Sequence, residues 1–144
     1  ARVVKLFWFD SKVAFLSNST FGEPVTDRTK RISDEVEILY KSNVDFKFDG
    51  EMQPDVALEE IYKELYPFSE IVGSSNVLIM PSQHSAAISY KMIKSMSRAK
   101  VIGPLLIGLG LPIEIAPLRS STSEIINIAS IAAYSADVID YKKN

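Results

Sequence analysis

Cysteine is absent from the 144 residues. That excludes disulfides, thiolate metal sites and cysteine nucleophiles, and it fits a reducing compartment such as the cytoplasm. Histidine occurs once, as His84, and one imidazole with no second ligand type nearby does not make a metal site. No sign of charge dominates: 16 Lys and Arg stand against 18 Asp and Glu, a formal net charge of -2. The chain thus lacks an electrostatic grip on nucleic acid or on an anionic membrane. Long apolar runs are missing as well. The most apolar stretch, residues 101–118, is interrupted by Gly103, Pro104, Gly108, Gly110, Pro112 and Glu114. We expect a buried strand pair there rather than a membrane-spanning helix. No signal peptide or internal repeat is visible, and the opening Ala1 in place of Met leads us to expect a cut or processed piece of something longer.

What is present is an alternation of apolar runs and helical periodicities. Val3, Val4, Leu6, Phe7 and Phe9 suit either a strand or the last turns of a helix. Residues 12–17 (KVAFLS) suit a buried strand, followed by a turn-rich segment. Ile32, Val36, Leu39 and Tyr40 recur at helical spacing, with Pro24 near the helix start. A second strand is expected at residues 46–48, ending in an Asp49-Gly50 turn. A helix over 56–66 follows, with Leu58, Ile61, Tyr62 and Leu65 on one face and Asp55 as N-cap. Residues 76–80 (NVLIM) form a third buried strand, stopped by Pro81. Ala86, Tyr90, Ile93 and Met96 share a helix face over 85–97; short strands are expected at 101–107 and 113–115, and a long helix over 122–141. Such alternation argues for α/β architecture with a largely parallel sheet. Ligands in such sheets bind beyond the carboxyl ends of the strands.

Several residues at those ends bear on function. The segment Ser17-Asn18-Ser19-Thr20-Phe21-Gly22 offers hydroxyls, an amide and a glycine between a strand and a helix. It suits phosphate binding, or equally a solvated turn that caps the next helix. Asp49 and Glu51 suit turn chemistry and solvation better than a catalytic pair. His84, between strand and helix, is a ligand contact or a partly exposed loop residue. Gly108-Leu109-Gly110 lacks the third glycine of a dinucleotide loop and is followed by Pro112. Ser121 and Glu124 have the spacing of a capping box, and Arg119 lies near the same helix start, as an anion contact or an ordinary surface arginine. No spacing identifies a nucleophile and its base, so no catalytic residue is assigned.

Three segments carry a resemblance: KVAFLSNSTFG (residues 12–22), FDGEMQPDVAL (48–58), and the block running from YPFSEIVGSSNVLIMPSQHSAAISYK to VIGPLLIGLGLPIEI. In order and spacing they resemble the later half of phosphate acetyltransferases, over about residues 12–133. The resemblance implies an isocitrate-dehydrogenase-like, three-layer α/β/α fold with two lobes and the ligand between them. Residues 1–144 would supply one lobe and a closing helix, and the upstream lobe would precede Ala1. Phe21, where stand-alone acetyltransferases usually carry lysine, together with DGEM at 49–52 and YPFS at 66–69, resembles the domain fused to bacterial NADP-dependent malic enzymes.

In that variant the domain is regulatory, responds to acetyl-CoA and assists homo-oligomer assembly. NADP and the divalent metal belong to an upstream malic-enzyme domain, and no cofactor is expected in this chain. The serine and arginine that precede the closing helix in acetyltransferases correspond to Pro117 and Leu118, with Arg119 one position later. Glu124 matches the acidic position, His84 replaces a usual aspartate and Ala87 a usual asparagine. The expectation is a non-catalytic, cytoplasmic effector domain. Ser17, Ser19, Thr20, Gly22, His84, Arg119, Ser121 and Glu124 are its candidate contacts to acetyl-CoA or a related small molecule. An active phosphate acetyltransferase and a purely structural oligomerisation module are the alternatives.

Overall fold

The computed structural model describes residues 9–141, with side chains through residue 136. The run containing Val3, Val4, Leu6 and Phe7 lies outside the described residues. The chain divides after Lys91 into two compact units.

The first unit is built on a parallel sheet. Its strands are β1 (Lys12–Leu16), β2 (Lys47–Met52) and β3 (Val77–Ile79), in the order β2-β1-β3. The central strand carries the core: Val13, Ala14 and Leu16 are buried. Around them pack Met52, Val56, Ala57, Ile71 and Val72. The β1–β2 connection contains helix α1 (Asp27–Tyr40), which packs on β2 through buried Val36. Thr26 caps α1, accepting from the Thr29 backbone while the Thr29 side chain accepts from its own. Pro24 stands outside this capping box. Because all three strands run the same way, their carboxyl ends share one edge, with residues 17–22 following the central strand.

Two expectations are corrected in this unit. The Asp49-Gly50 pair is not a turn; β2 runs through it to Met52. Gly50 sits at φ 145°, and a Cβ there would stand 2.8 Å from the Phe15 carbonyl oxygen, so only glycine lets the two strands approach. Nor is there one helix over 56–66. Helix α2 (Pro54–Leu58) ends at extended Glu59, and a separate 3₁₀ turn covers Glu60–Glu64. The cause lies downstream. The Val56 and Ala57 carbonyls accept from Gly73 N (2.9 Å) and Ser75 N (3.1 Å) rather than from the next helical turn. Gln53 rather than Asp55 is the N-cap, and the Asp55 carboxylate accepts from the Tyr62 hydroxyl at 2.9 Å. Leu58, Ile61 and Leu65, expected on a buried face, are exposed.

The second unit begins within helix α3 (Gln83–Met96) and closes with α4 (Thr122–Tyr141), whose bounds match the sequence expectation. Between them the described residues contain no strand, against the pair expected at 101–107 and 113–115. Pro104 and Pro112 each lack the N–H that a ladder requires. The two stretches meet instead through a side chain, Leu106 N donating to Glu114 Oε2 at 3.1 Å. Ile128 is the one buried apolar side chain among the described residues of this unit, while Ile93, Met96, Ile107 and Leu111 are exposed. No helix among the described residues is long and apolar enough to cross a membrane.

Candidate functional site

The segment 17–22 is folded around a carboxylate. Register between β1 and β2 slips after Phe15: Phe15 pairs with Gly50, but Leu16 pairs with Met52. Glu51 is therefore the extra residue of a bulge, and bulges re-aim side chains. Its side chain is 1% exposed. Oε1 accepts from Gly22 N at 2.7 Å and from Ser19 Oγ at 3.0 Å. The Glu51 carbonyl accepts from Phe21 N at 2.8 Å. Oε2 is buried and finds no hydrogen-bond partner among the described residues. The expectation of a solvated Glu51 is thus corrected. The Asp-Gly pair concealed it, and the hydrophobic flanks Phe48 and Met52 were the signal that a strand continued.

The remaining polar groups of the segment also turn inward. Ser17, Ser19 and Thr20 are buried, whereas Asn18 is exposed. Ser17 N donates to Met52 O at 3.0 Å, and Ser17 Oγ accepts from Ser19 N at 3.3 Å. Thr20 N donates to Glu23 O at 2.9 Å, while Thr20 Oγ1 accepts from Gln53 N at 3.1 Å. The structure thus brings Ser17, Ser19, Thr20 and Gly22 together, with their backbone donors directed at Glu51, Met52, Glu23 and Ser17 itself.

Phe21 has φ 49°, the left-handed region that bulky residues rarely occupy. Its ring packs on two others. Centroids lie 5.3 Å from Tyr66 and 4.8 Å from Phe68, and Tyr66 and Phe68 are 6.1 Å apart. The Phe21–Phe68 and Tyr66–Phe68 contacts are edge-to-face, a favoured geometry for aromatic pairs. Phe21 and the YPFS segment, distant in sequence, are one cluster in space.

His84, also in the first unit, is exposed on the first turn of α3. The other candidates belong to the second unit. Arg119 and Ser121 are exposed ahead of α4. Ser121 N and Oγ donate to Glu124 Oε2 at 2.8 and 3.0 Å, and Glu124 N donates back to Ser121 Oγ at 3.3 Å, closing a capping box. Glu124 Oε1 pairs with Lys94 Nζ at 2.9 Å. Lys94 and Ser121 together hold its carboxyl well below the usual range, at about 2. Beside this pair, Val101, Pro117, Ser120 and Asn127 help line a recess of about 10 Å³, room for roughly one water. Pro117 and Leu118 are exposed, the latter completely. No group of three or more His, Asp or Glu among the described residues is placed to hold a metal ion.

Comparison with known proteins places this geometry. The family described as phosphate acetyl/butaryl transferase matches residues 1–133. The chain belongs to that family. Among its relatives is the NADP-dependent malic enzyme of Rhizobium meliloti, 45% identical over 136 residues. The match spans 94% of this chain but 18% of that protein. The phosphate acetyltransferase of Bacillus subtilis is 32% identical over 137 residues, covering 94% of this chain and 42% of its own length. A solved phosphotransacetylase from Streptococcus pyogenes superposes with a TM-score of 0.87 at 32% identity, covering 94% of this chain and 42% of that one. The α/β architecture is therefore shared with transferases.

Proposed function

We propose that this chain is the phosphate-acetyltransferase-type domain of an NADP-dependent malic enzyme, and that it binds acetyl-CoA as an effector without turning it over. The observation that carries the proposal is Pro117-Leu118 ahead of the closing helix, where the family resemblance implies a Ser-Arg pair. Acyl transfer between a thioester and phosphate develops negative charge, which needs hydrogen-bond donors or cations placed beforehand. Proline and leucine provide neither, and one lost donor costs on the order of 3–4 kcal/mol of transition-state stabilisation. The acidic position of the closing helix points the same way. Glu124 is already engaged by Lys94 and by its own helix start. Binding needs fewer contacts than catalysis, so effector recognition is compatible with these losses. NADP, the divalent metal and malate oxidation fall to an upstream domain, and the assembly is a cytoplasmic homo-oligomer.

The test is titration calorimetry of acetyl-CoA into the full-length protein, with malate oxidation and acetyl transfer from acetyl phosphate to coenzyme A followed in parallel. Binding that changes malate oxidation, with no acetyl-CoA formed, is the expected result. Formation of acetyl-CoA would establish an active transferase. Absence of binding would leave a structural module.

A further inference from the structure

The outward side chains of residues 17–22 include no hydroxyl: Ser17, Ser19 and Thr20 are buried, leaving Asn18 exposed and Phe21 partly so. The segment's amides at Thr20, Phe21 and Gly22 donate to Glu23 and Glu51. What this edge of the sheet presents to a ligand is therefore aromatic. Phe21, Tyr66 and Phe68 form a closed triangle, and Phe68 is 68% exposed. The contacts are tilted or edge-to-face, so no pair of rings stacks face to face and hides both partners. Phe21 holds its place at φ 49°, a strained conformation for a bulky residue that neighbouring contacts must offset. Asparagine or glycine would occupy that backbone position with less strain, so the ring rather than the turn accounts for phenylalanine there. The cluster follows the carboxyl end of the central strand, where open parallel sheets bind their ligands.

We infer that the Phe21–Tyr66–Phe68 cluster is a stacking platform for a planar heteroaromatic ring, which under the proposed function (on which this inference rests) is the adenine of acetyl-CoA. Stacking on an aromatic side chain is tolerant of ring substitution and removes apolar surface from water on both sides. Phe68 supplies the most accessible surface, and Phe21 and Tyr66 brace it.

The experiment compares three ligands on the full-length protein by titration calorimetry. They are acetyl-CoA, adenosine bisphosphate (the nucleotide half of the coenzyme) and acetylpantetheine (the other half). Phe68→Ala is expected to weaken acetyl-CoA and adenosine bisphosphate by roughly tenfold or more and to leave acetylpantetheine unchanged. Phe68→Trp should restore binding. Leu65→Ser, at an exposed apolar neighbour outside the triangle, should bind as wild type. If Phe68→Ala binds acetyl-CoA as tightly as wild type, the platform is wrong and the effector reading stands. If adenosine bisphosphate binds and Phe68→Ala weakens it while malate oxidation ignores acetyl-CoA, the platform stands and the effector reading falls. Failure of both acetyl-CoA and the nucleotide to bind wild type removes both.

Discussion

Gly22 N donates to Glu51 Oε1 across 2.7 Å, joining residues 29 apart in sequence. The same oxygen accepts from Ser19 Oγ, so a single carboxylate atom fixes both ends of the turn that contains Phe21. The conformation of this turn is thus set from outside it, by a bulge in the neighbouring strand.

Removing that acceptor strands Gly22 N, at about 1–3 kcal/mol if it stays buried, while the Ser19 hydroxyl keeps Ser17 Oγ at 3.1 Å. Glu51→Ala is therefore expected to lower the unfolding free energy by roughly 1–3 kcal/mol, measured by urea titration. Glu51→Gln should lose less, because the amide oxygen still accepts. Equal midpoints for wild type and both variants would refute the anchoring role.

Gly50→Ala is a sharper test of the strand. The added Cβ meets Phe15 oxygen and Cβ at 2.8 and 2.9 Å, in a backbone conformation that alanine avoids. A loss of about 2 kcal/mol or more is expected, with Gly22→Ala, where nothing lies within 4 Å of the new Cβ, losing less. A Gly50→Ala protein as stable as wild type would contradict the close approach of β1 and β2.

Glu124 predicts an acid dependence. Its folded value of about 2 lies below the ordinary 4.5. The stabilisation it contributes is complete above the ordinary value and disappears as pH falls towards the folded one. The difference in melting temperature between wild type and Glu124→Gln should therefore be constant near neutrality and shrink between about pH 4.5 and 2. A difference that does not change across that window would mean that Lys94 and Ser121 leave the carboxyl unperturbed.

Tyr40 gives the alkaline counterpart. Partial burial of its ring, which is otherwise largely exposed, and then the hydrogen bond from its hydroxyl to Asp49 Oδ1 at 2.9 Å push its ionisation up to about 12. Tyr62 is also raised, by its hydrogen bond to Asp55, so ultraviolet titration of the folded protein should show late phenolate transitions, of which the one at about 12 is absent in Tyr40→Phe and earlier in Asp49→Asn. Tyr40→Phe itself should cost no more than about 0.5–1.5 kcal/mol.

The parts of the fold legible from residues were those with an uninterrupted period. The bounds of α4, the central strand and the parallel alternation of strands and helices up to α3 follow from apolar spacing. The parts that were not legible depend on partners far along the chain. Nothing in residues 56–66 announces that Gly73 and Ser75 will take the carbonyls of Val56 and Ala57. Nothing local to Asp49-Gly50 shows that Phe15 will press against the glycine. Apolar strand-like sequence at 101–107 and 113–115 was misleading because periodicity records a tendency to be covered, and no covering partner occurs among the described residues. The candidate site was half visible. Residue types mark the segment 17–22 as polar, but they do not show that its hydroxyls face inward or that the buried Glu51 carboxylate organises them.

The bulge at Glu51 has a consequence for how this segment can be transplanted or shortened. Deleting one residue between Gly50 and Met52 would give β2 an even pairing with β1, yet it would remove the acceptor for Ser19 and Gly22. The irregularity and the turn therefore travel as one module written in two places. A loop exchange that moves residues 17–22 without their companions at 50–52 carries over the letters and leaves the shape behind.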